Sequence, residues 1–153
     1  MNIFFFFIQS IPESMGIIAL SLALARAPLR WGHIFIGGLL LAVISYIIRA
    51  LPVTFGLHLP VMIFVLFVLI VRLTNLTPSK TIVVVFTSFF ALALLEYLVS
   101  GTFFAYTHMD PEQALANEKL WSALGVTQAV ILNIIALVVA RFLKPTEEGS
   151  WKQ

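Results

Sequence analysis

The chain has 153 residues, of which 61% are hydrophobic and 10% charged, whereas soluble domains average about 45–50% apolar and about 25% charged residues. So few charged side chains cannot cover so apolar a core against water, and most of the surface must therefore face lipid. The length leaves room for one domain. Because cysteine is absent, disulfides, thiolate nucleophiles and Cys-ligated metals are excluded. The net charge of +2 includes no basic cluster of the kind that binds nucleic acid.

Five apolar segments follow one another along the chain, and each is near the roughly 20 residues that a membrane-spanning helix needs. Prolines at Ala27-Pro28, Leu51-Pro52 and Thr77-Pro78 stand where helices are expected to end or begin. We therefore predict an all-α integral membrane protein, a bundle of about five transmembrane helices. Residues 1–144 would form one transmembrane domain and 145–153 a short cytoplasmic tail. The expected spans are 10–27, 31–51, 57–73, 81–101 and 121–143.

The first span contains the pattern Ser10-Ile11-Pro12-Glu13. It is typical of a capping box, with Ser10 as the N-cap and Pro12 in the first turn of the helix. We therefore predict a span that is broken at Ser10–Glu13. The apolar stretch Met1–Gln9 would precede it, either as a kinked continuation or as an interfacial segment. This stretch lacks a basic n-region, so we expect it to be retained rather than cleaved as a signal peptide.

The segment 102–120 is expected to be the longest external loop. Within it, Asp110 followed by Pro111 predicts the start of a short helix, because aspartate favours the N-cap and proline the first helical position.

Basic residues indicate the orientation of the bundle. The loops between spans one and two and between spans three and four, together with the C-terminal segment, contain most of them, while the opposite side has only Arg49 and Lys119. The positive-inside rule then places the N-terminus outside and the C-terminus in the cytoplasm. The seven residues assigned to the cytoplasmic side are Arg26, Arg30, Arg72, Lys80, Arg141, Lys144 and Lys152.

Polar residues within apolar spans are costly, which makes them the first candidates for function. Six of them are expected in the outer half of the membrane, and a ligand pocket there would use several as polar contacts. The alternative is a structural ion pair between Arg49 and either Glu13 or Glu96, because desolvated charges are best tolerated when paired. The six candidates are Glu13, Arg49, His58, Glu96, Tyr97 and Gln128.

Other polar and small residues fit helix packing. Asn133 is expected to form a hydrogen bond between helices, and Gly37, Gly38 and Ala42 offer a small surface for close contact with Ser14 and Ser21.

Enzymatic signatures are missing from the sequence. It contains no His-Glu-x-x-His pattern, no Gly-x-Ser-x-Gly elbow and no glycine-rich phosphate loop. We therefore expect no enzyme activity, no cofactor and no metal site, including at His108, Asp110 and Glu112.

Two stretches, Ile8-Gln9-Ser10-Ile11-Pro12-Glu13 and Arg49-Ala50-Leu51-Pro52-Val53-Thr54-Phe55-Gly56-Leu57-His58, carry a family resemblance. With the hydropathy layout, they resemble the multi-span N-terminal membrane sensor region of Gram-positive GHKL-type sensor histidine kinases, and related stand-alone membrane proteins of unassigned function. In such kinases a dimerisation helix and an ATP-binding domain follow. Pro145–Gln153 contains neither a phosphoacceptor segment nor a nucleotide motif, so the resemblance implies a sensor or partner module without its own output.

The leading hypothesis is thus a sensory or regulatory module in the bacterial plasma membrane. It would bind an apolar or amphiphilic ligand, or partner transmembrane helices, through the outer polar cluster. The alternatives are a small transporter or substrate-binding membrane component, and a structural subunit of a larger membrane complex. Expected partners are the lipid bilayer, a second copy or another membrane protein, and a small amphiphilic ligand, but no nucleic acid.

Overall fold

The computed structural model describes residues 2–51, 56–147 and 149–153, and helices account for nearly all of the regular structure in these ranges. Four helices in the described ranges are long and apolar enough to cross a membrane. The prediction of an all-helical membrane protein is confirmed at this level. Residues 52–55, which belong to the second resemblance stretch, lie outside the described ranges. The helices are α1 (Ile3–Leu24), α2 (Trp31–Ala50), α3 (His58–Leu73), α4 (Pro78–Thr107), α5 (Pro111–Ala116) and α6 (Glu118–Phe142).

The first helix starts earlier than the sequence predicted. The side chain of Asn2 caps α1 by accepting a hydrogen bond from the Phe4 amide at 3.0 Å, and the helix then continues through Pro12. The predicted N-cap at Ser10 is therefore wrong, and the lead-in is a continuation of the helix. Proline removes one backbone donor, but spanning helices tolerate this when neighbouring groups help to satisfy the backbone. Asn133 of α6 donates to the Pro12 carbonyl at 3.0 Å and ties α6 to α1 at this position.

α1 is the central helix of the bundle. It packs most extensively against α6 and α2, and it also contacts α4 and α3. Every residue of its segment 16–23 is buried, which is possible only for a helix with neighbours on all sides. On the α2 side, a Cβ atom added to Gly38 would lie 2.6 Å from the Met15 side chain. The predicted small surface on α2 is thus confirmed as a close-packing surface.

The interface between α1 and α6 also depends on small residues. Gly125 lies directly against the Gln9 side chain, and Ser122 donates to the Phe5 carbonyl at 3.2 Å. Asn133, predicted to bond between helices, makes that bond to α1. Small residues let helix backbones approach closely in lipid, where packing rather than the hydrophobic effect drives association.

α4 is longer than the predicted span 81–101. α4 has 30 residues and continues to Thr107, so helix occupies the first six positions of the segment predicted as external loop. His108 then ends α4 in a left-handed conformation with φ of 51°. The short helix expected after Asp110 is present as α5, with Asp110 at the N-cap and Pro111 in the first turn.

α3 is shorter than the other long helices. Its 16 residues correspond to about 24 Å at the α-helical rise, whereas a bilayer core is about 30 Å thick. Contacts at its two ends nevertheless show that α3 runs along the bundle. The carbonyl of Leu73, its last residue, accepts a hydrogen bond from the C-terminal tail, while His58, its first residue, lies near Arg49 at the end of α2.

The C-terminal tail folds back onto the helix ends instead of extending freely. The Thr146 amide donates to the Arg26 carbonyl at 3.1 Å, the Asn75 amide to Ser150 at 2.9 Å, and the Lys152 amide to Leu73 at 2.9 Å. The α1–α2 loop, the α3–α4 loop and the tail therefore meet at one end of the molecule. We call this the basic end, because Arg26 and Lys152 lie there.

Candidate functional site

Four of the six candidate residues come together on the side of the bundle away from the basic end. They are contributed by four different helices: Glu13 by α1, Arg49 by α2, His58 by α3 and Glu96 by α4. Because α1 begins at Ile3, Glu13 lies midway along this helix and does not open it. Glu13 is close enough to interact electrostatically with both Arg49 and Glu96, and His58 interacts with Arg49. We call these four residues the charged cluster.

The register of α1 against α4 explains why the two carboxylates meet. Ser21 of α1 donates a hydrogen bond to Ser88 of α4 at 2.9 Å, deep in the bundle. The two helices run in opposite directions, and Glu13 and Glu96 each stand eight positions further toward the same end. Eight residues of helix correspond to about 12 Å, so both carboxylates reach the same level of the bundle.

Arg49 stands beside this carboxylate pair without bonding to it directly. Its guanidinium carbon lies 5.6 Å from the centre of the Phe6 ring, which is a cation–π contact. Among the described residues, no ion pair joins Arg49 to Glu13 or Glu96. This geometry lacks the direct contact that the structural ion-pair interpretation requires.

The charged cluster is partly open to its surroundings. Glu13 and His58 are half-buried, whereas Arg49 and Glu96 are exposed. Charged side chains at membrane depth are costly unless water, lipid headgroups or another polar partner solvates them. The exposed charges of Arg49 and Glu96 could therefore be solvated by a polar molecule that binds to the cluster.

The other two candidates occupy different surroundings. Tyr97 is 75% exposed at the perimeter of the bundle, a position typical of the aromatic belt of membrane proteins. Gln128 is buried on the face of α6 that also carries Gly125 and Leu132, the face that packs on α1. No contact in the described part of the chain links either residue to the charged cluster.

An aromatic group beside the cluster was not predicted from the sequence. The ring of Tyr46 lies 5.4 Å from that of Phe6 and 5.6 Å from that of Phe7, between centroids. The run Phe4–Phe7 is visible in the sequence. It lies on α1 and beside the cluster because α1 begins at Ile3 and continues through Pro12. With Phe6 also under Arg49, these rings supply an apolar wall next to the charges.

A second arrangement missed by sequence reasoning centres on Trp151 in the tail. Its indole nitrogen donates to the Pro28 carbonyl at 2.7 Å, and the side chain is 92% buried, with 8% exposed. The Arg30 guanidinium lies 5.2 Å from the ring centre, and the His33 ring 5.1 Å away. In the sequence, a single tryptophan in an otherwise polar tail was the feature that could have indicated this docking.

Comparison with known proteins gives no relative on which to base a function: no family model, curated protein or solved structure matches this chain.

Proposed function

We propose that this protein is a membrane-embedded sensory or regulatory module that binds an amphiphilic ligand at the charged cluster. One observation carries the proposal: Glu13 lies within electrostatic range of both Arg49 and Glu96, yet the arginine contacts a ring instead of a carboxylate. Such groups favour a ligand with a polar headgroup, since the headgroup supplies the missing charge partner. The Phe6, Phe7 and Tyr46 rings suit the apolar part of the same molecule.

The central helix offers a route from this cluster to the other end. Glu13 lies on α1, and the last turns of α1 lead to Arg26, whose carbonyl holds Thr146 of the tail. A ligand that binds one position of α1 more tightly than another shifts the helix toward that position. Because α1 also contacts α2, α4 and α6, such a shift would alter the packing of the whole bundle. The tail would then present a different surface to a partner.

The membrane arrangement that accompanies this function has five spans in the bacterial plasma membrane. These are the four long helices α1, α2, α4 and α6, together with the shorter helix α3. The N-terminus would lie outside and the basic end in the cytoplasm. The support is the uneven distribution of lysine and arginine. α3, at about 24 Å, would span by locally thinning the bilayer or by snorkelling of its flanking residues.

A thermal-stability screen of the purified full-length protein tests the proposal. Dodecylamine, dodecanoate and dodecanol share one chain length and differ in headgroup charge, so they serve as probes. We expect at least one charged probe to raise the melting temperature, because a ligand that binds only the folded state stabilises it. The shift should disappear in the double variant Arg49→Ala/Glu96→Ala.

The matched control is the double variant Arg141→Ala/Glu112→Ala, which also removes one exposed arginine and one exposed glutamate but lies outside the charged cluster. It should respond to the probes as the wild type does. A probe-induced shift that survives loss of both Arg49 and Glu96, or no shift with any of the three probes, would contradict the proposal.

A further inference from the structure

A cavity of about 830 Å³ opens at the basic end, far from the charged cluster. Four parts of the chain form its walls. The end of α1 and the residues after it contribute Leu24 and Arg26, the α3–α4 loop contributes Leu76, the first turns of α4 contribute Ser79 and Val84, and the tail contributes Thr146. The folded-back tail thus forms one wall of the cavity.

The polar side of this cavity is suited to an anion. Arg26 and Lys80 line it together with Glu147. The Ser79 hydroxyl belongs to the first turn of α4, a helix of 30 residues, whose N-terminal dipole end attracts negative charge. A basic pocket between helix ends at the membrane surface is the kind of site that binds lipid headgroups.

The apolar lining of the cavity continues along α4, because Val83 and Val84 lie one turn beyond Ser79 and Lys80. Leu24 and Leu76 complete the apolar lining. Val83 is 65% exposed, and Phe86 and Phe90, further along the same helix, are 57% and 70% exposed. An apolar strip thus continues from the cavity along the perimeter that faces lipid, in the direction that an acyl chain would follow from a headgroup at the basic end.

The backbone at Arg26 shows how closely the tail and this site depend on each other. Arg26 has a left-handed φ of 55°, an uncommon conformation that costs free energy for a residue with a side chain and that tends to occur at functional sites. Its carbonyl accepts the Thr146 amide at 3.1 Å. Gly149 lies so close to the carbonyls of Ala25 and Arg26 that a Cβ atom there would collide with them.

We infer that this cavity is a binding site for the phosphate-bearing headgroup of an anionic membrane lipid. Arg26 and the N-terminus of α4 contact the headgroup, one acyl chain lies against Val83 and Val84, and the docked tail closes the site from the side. The inference is independent of the charged cluster, which lies away from the basic end.

Native mass spectrometry of the delipidated full-length protein tests this site. Phosphatidylglycerol and phosphatidylcholine with identical acyl chains are titrated separately, and glycerol 3-phosphate is added as a soluble competitor. We expect tighter binding of phosphatidylglycerol, weakened roughly fivefold in Arg26→Gln, a loss typical of one basic side chain near a lipid headgroup. Glycerol 3-phosphate should compete poorly, because it has no acyl chain to bury. Equal affinity for the two lipids would overturn the inference, and so would full displacement by glycerol 3-phosphate, which would indicate a site for a soluble phosphate.

The control for charge is Arg141→Gln, an exposed arginine that does not line the cavity, and it should leave binding unchanged. A second variant, Val84→Trp, fills the apolar wall without removing any charge and should weaken binding of both lipids. If Arg26→Gln disturbs the tail, Val84→Trp decides the question, since the Val84 side chain takes no part in the hydrogen bonds of the tail. Wild-type affinity in Val84→Trp, or equal weakening in Arg26→Gln and Arg141→Gln, would overturn the inference.

Discussion

At Gly38 the backbones of α1 and α2 approach so closely that the absence of a single side chain matters. A Cβ atom there would lie 2.6 Å from the Met15 side chain and 3.1 Å from its backbone nitrogen. The side chain could turn away, but the backbone nitrogen can move only with the whole of α1. Single residues of this kind set the distance between the central helix and its neighbour.

We therefore expect Gly38→Ala to destabilise the bundle by about 1–3 kcal/mol, the usual cost of overpacking a well-packed core. The measurement is the melting temperature of the purified protein in detergent. Gly101→Ala is the matched control, because a Cβ atom at this helical glycine of α4 meets open space. It should be neutral or stabilising, since alanine favours a helix more than glycine does. Equal effects of both substitutions would contradict the close approach at Gly38.

The buried hydroxyl pair Ser21 and Ser88 fixes the register of α1 against α4, and with it the level at which Glu13 faces Glu96. A double-mutant cycle with Ser21→Ala and Ser88→Ala should give a coupling of about 0.5–1.5 kcal/mol, the range of hydrogen bonds between helices in membranes. Denaturation by mixed micelles is the measurement. Ser21→Ala combined with Thr127→Val, an exposed position on α6, should be additive. If the effects of Ser21→Ala and Ser88→Ala on the free energy of unfolding were additive, this bond would contribute nothing to stability.

At the scale of elements, the tail is a fixed part of the fold. Its described residues form no helix, yet three backbone hydrogen bonds and the buried Trp151 attach it to α3 and to the loops that follow α1 and α3. A segment of this kind, with one buried anchor and many exposed residues, is expected to open more readily than the helices. It is therefore the element best suited to respond to changes in the position of α1.

Replacing the anchor tests how the tail is attached. Trp151→Ala should release the tail, because it removes the buried ring and its bond to Pro28. We expect cleavage after Glu147 by a glutamate-specific protease to accelerate on the order of tenfold, as the open state becomes more populated. Trp31→Ala is the control, since Trp31 is 42% exposed and belongs to α2. Unchanged cleavage after Glu147 in Trp151→Ala would show that the indole does not hold the tail.

At the scale of the whole molecule, the loops and the tail are sorted between two ends. The α1–α2 loop, the α3–α4 loop and the tail share the basic end, while the charged cluster lies away from it and the start of α1 lies at the other end. This sorting places the N-terminus and the C-terminus at opposite ends of the bundle. If α3 spans together with the four longer helices, the termini lie on opposite faces of the membrane.

The native chain has no cysteine, so single-cysteine variants report the topology directly. We expect Asn2→Cys in intact cells to react with a membrane-impermeant maleimide, and Gln153→Cys to react only after permeabilisation. This outcome follows from five spans with the basic end inside. Equal labelling of both positions in intact cells would indicate an even number of spans, with α3 lying outside the hydrocarbon core. Labelling of Gln153→Cys alone would reverse the orientation.

The sequence by itself was enough to predict a helical membrane protein, the boundaries of α2 and α3 to within one residue, and the polar residues within the apolar segments. These features depend on the local composition and on the spacing of apolar residues. In lipid such local features decide the secondary structure, because only helices or closed barrels satisfy the backbone hydrogen bonds there. The small surface at Gly37 and Gly38 and the bond from Asn133 were also predictable, because few residue types allow close packing between helices.

Only the tertiary structure decided which residues meet. Ser10-Ile11-Pro12-Glu13 has the local pattern of a helix start, but the contacts of α1 with α6 carry the helix through Pro12. The register of α1 against α4 brought Glu96 toward Glu13, while its neighbour Tyr97 faces the surroundings. The docking of Trp151 depends on a loop more than a hundred residues away. Such pairings arise from the packing of distant segments, which local sequence patterns do not encode.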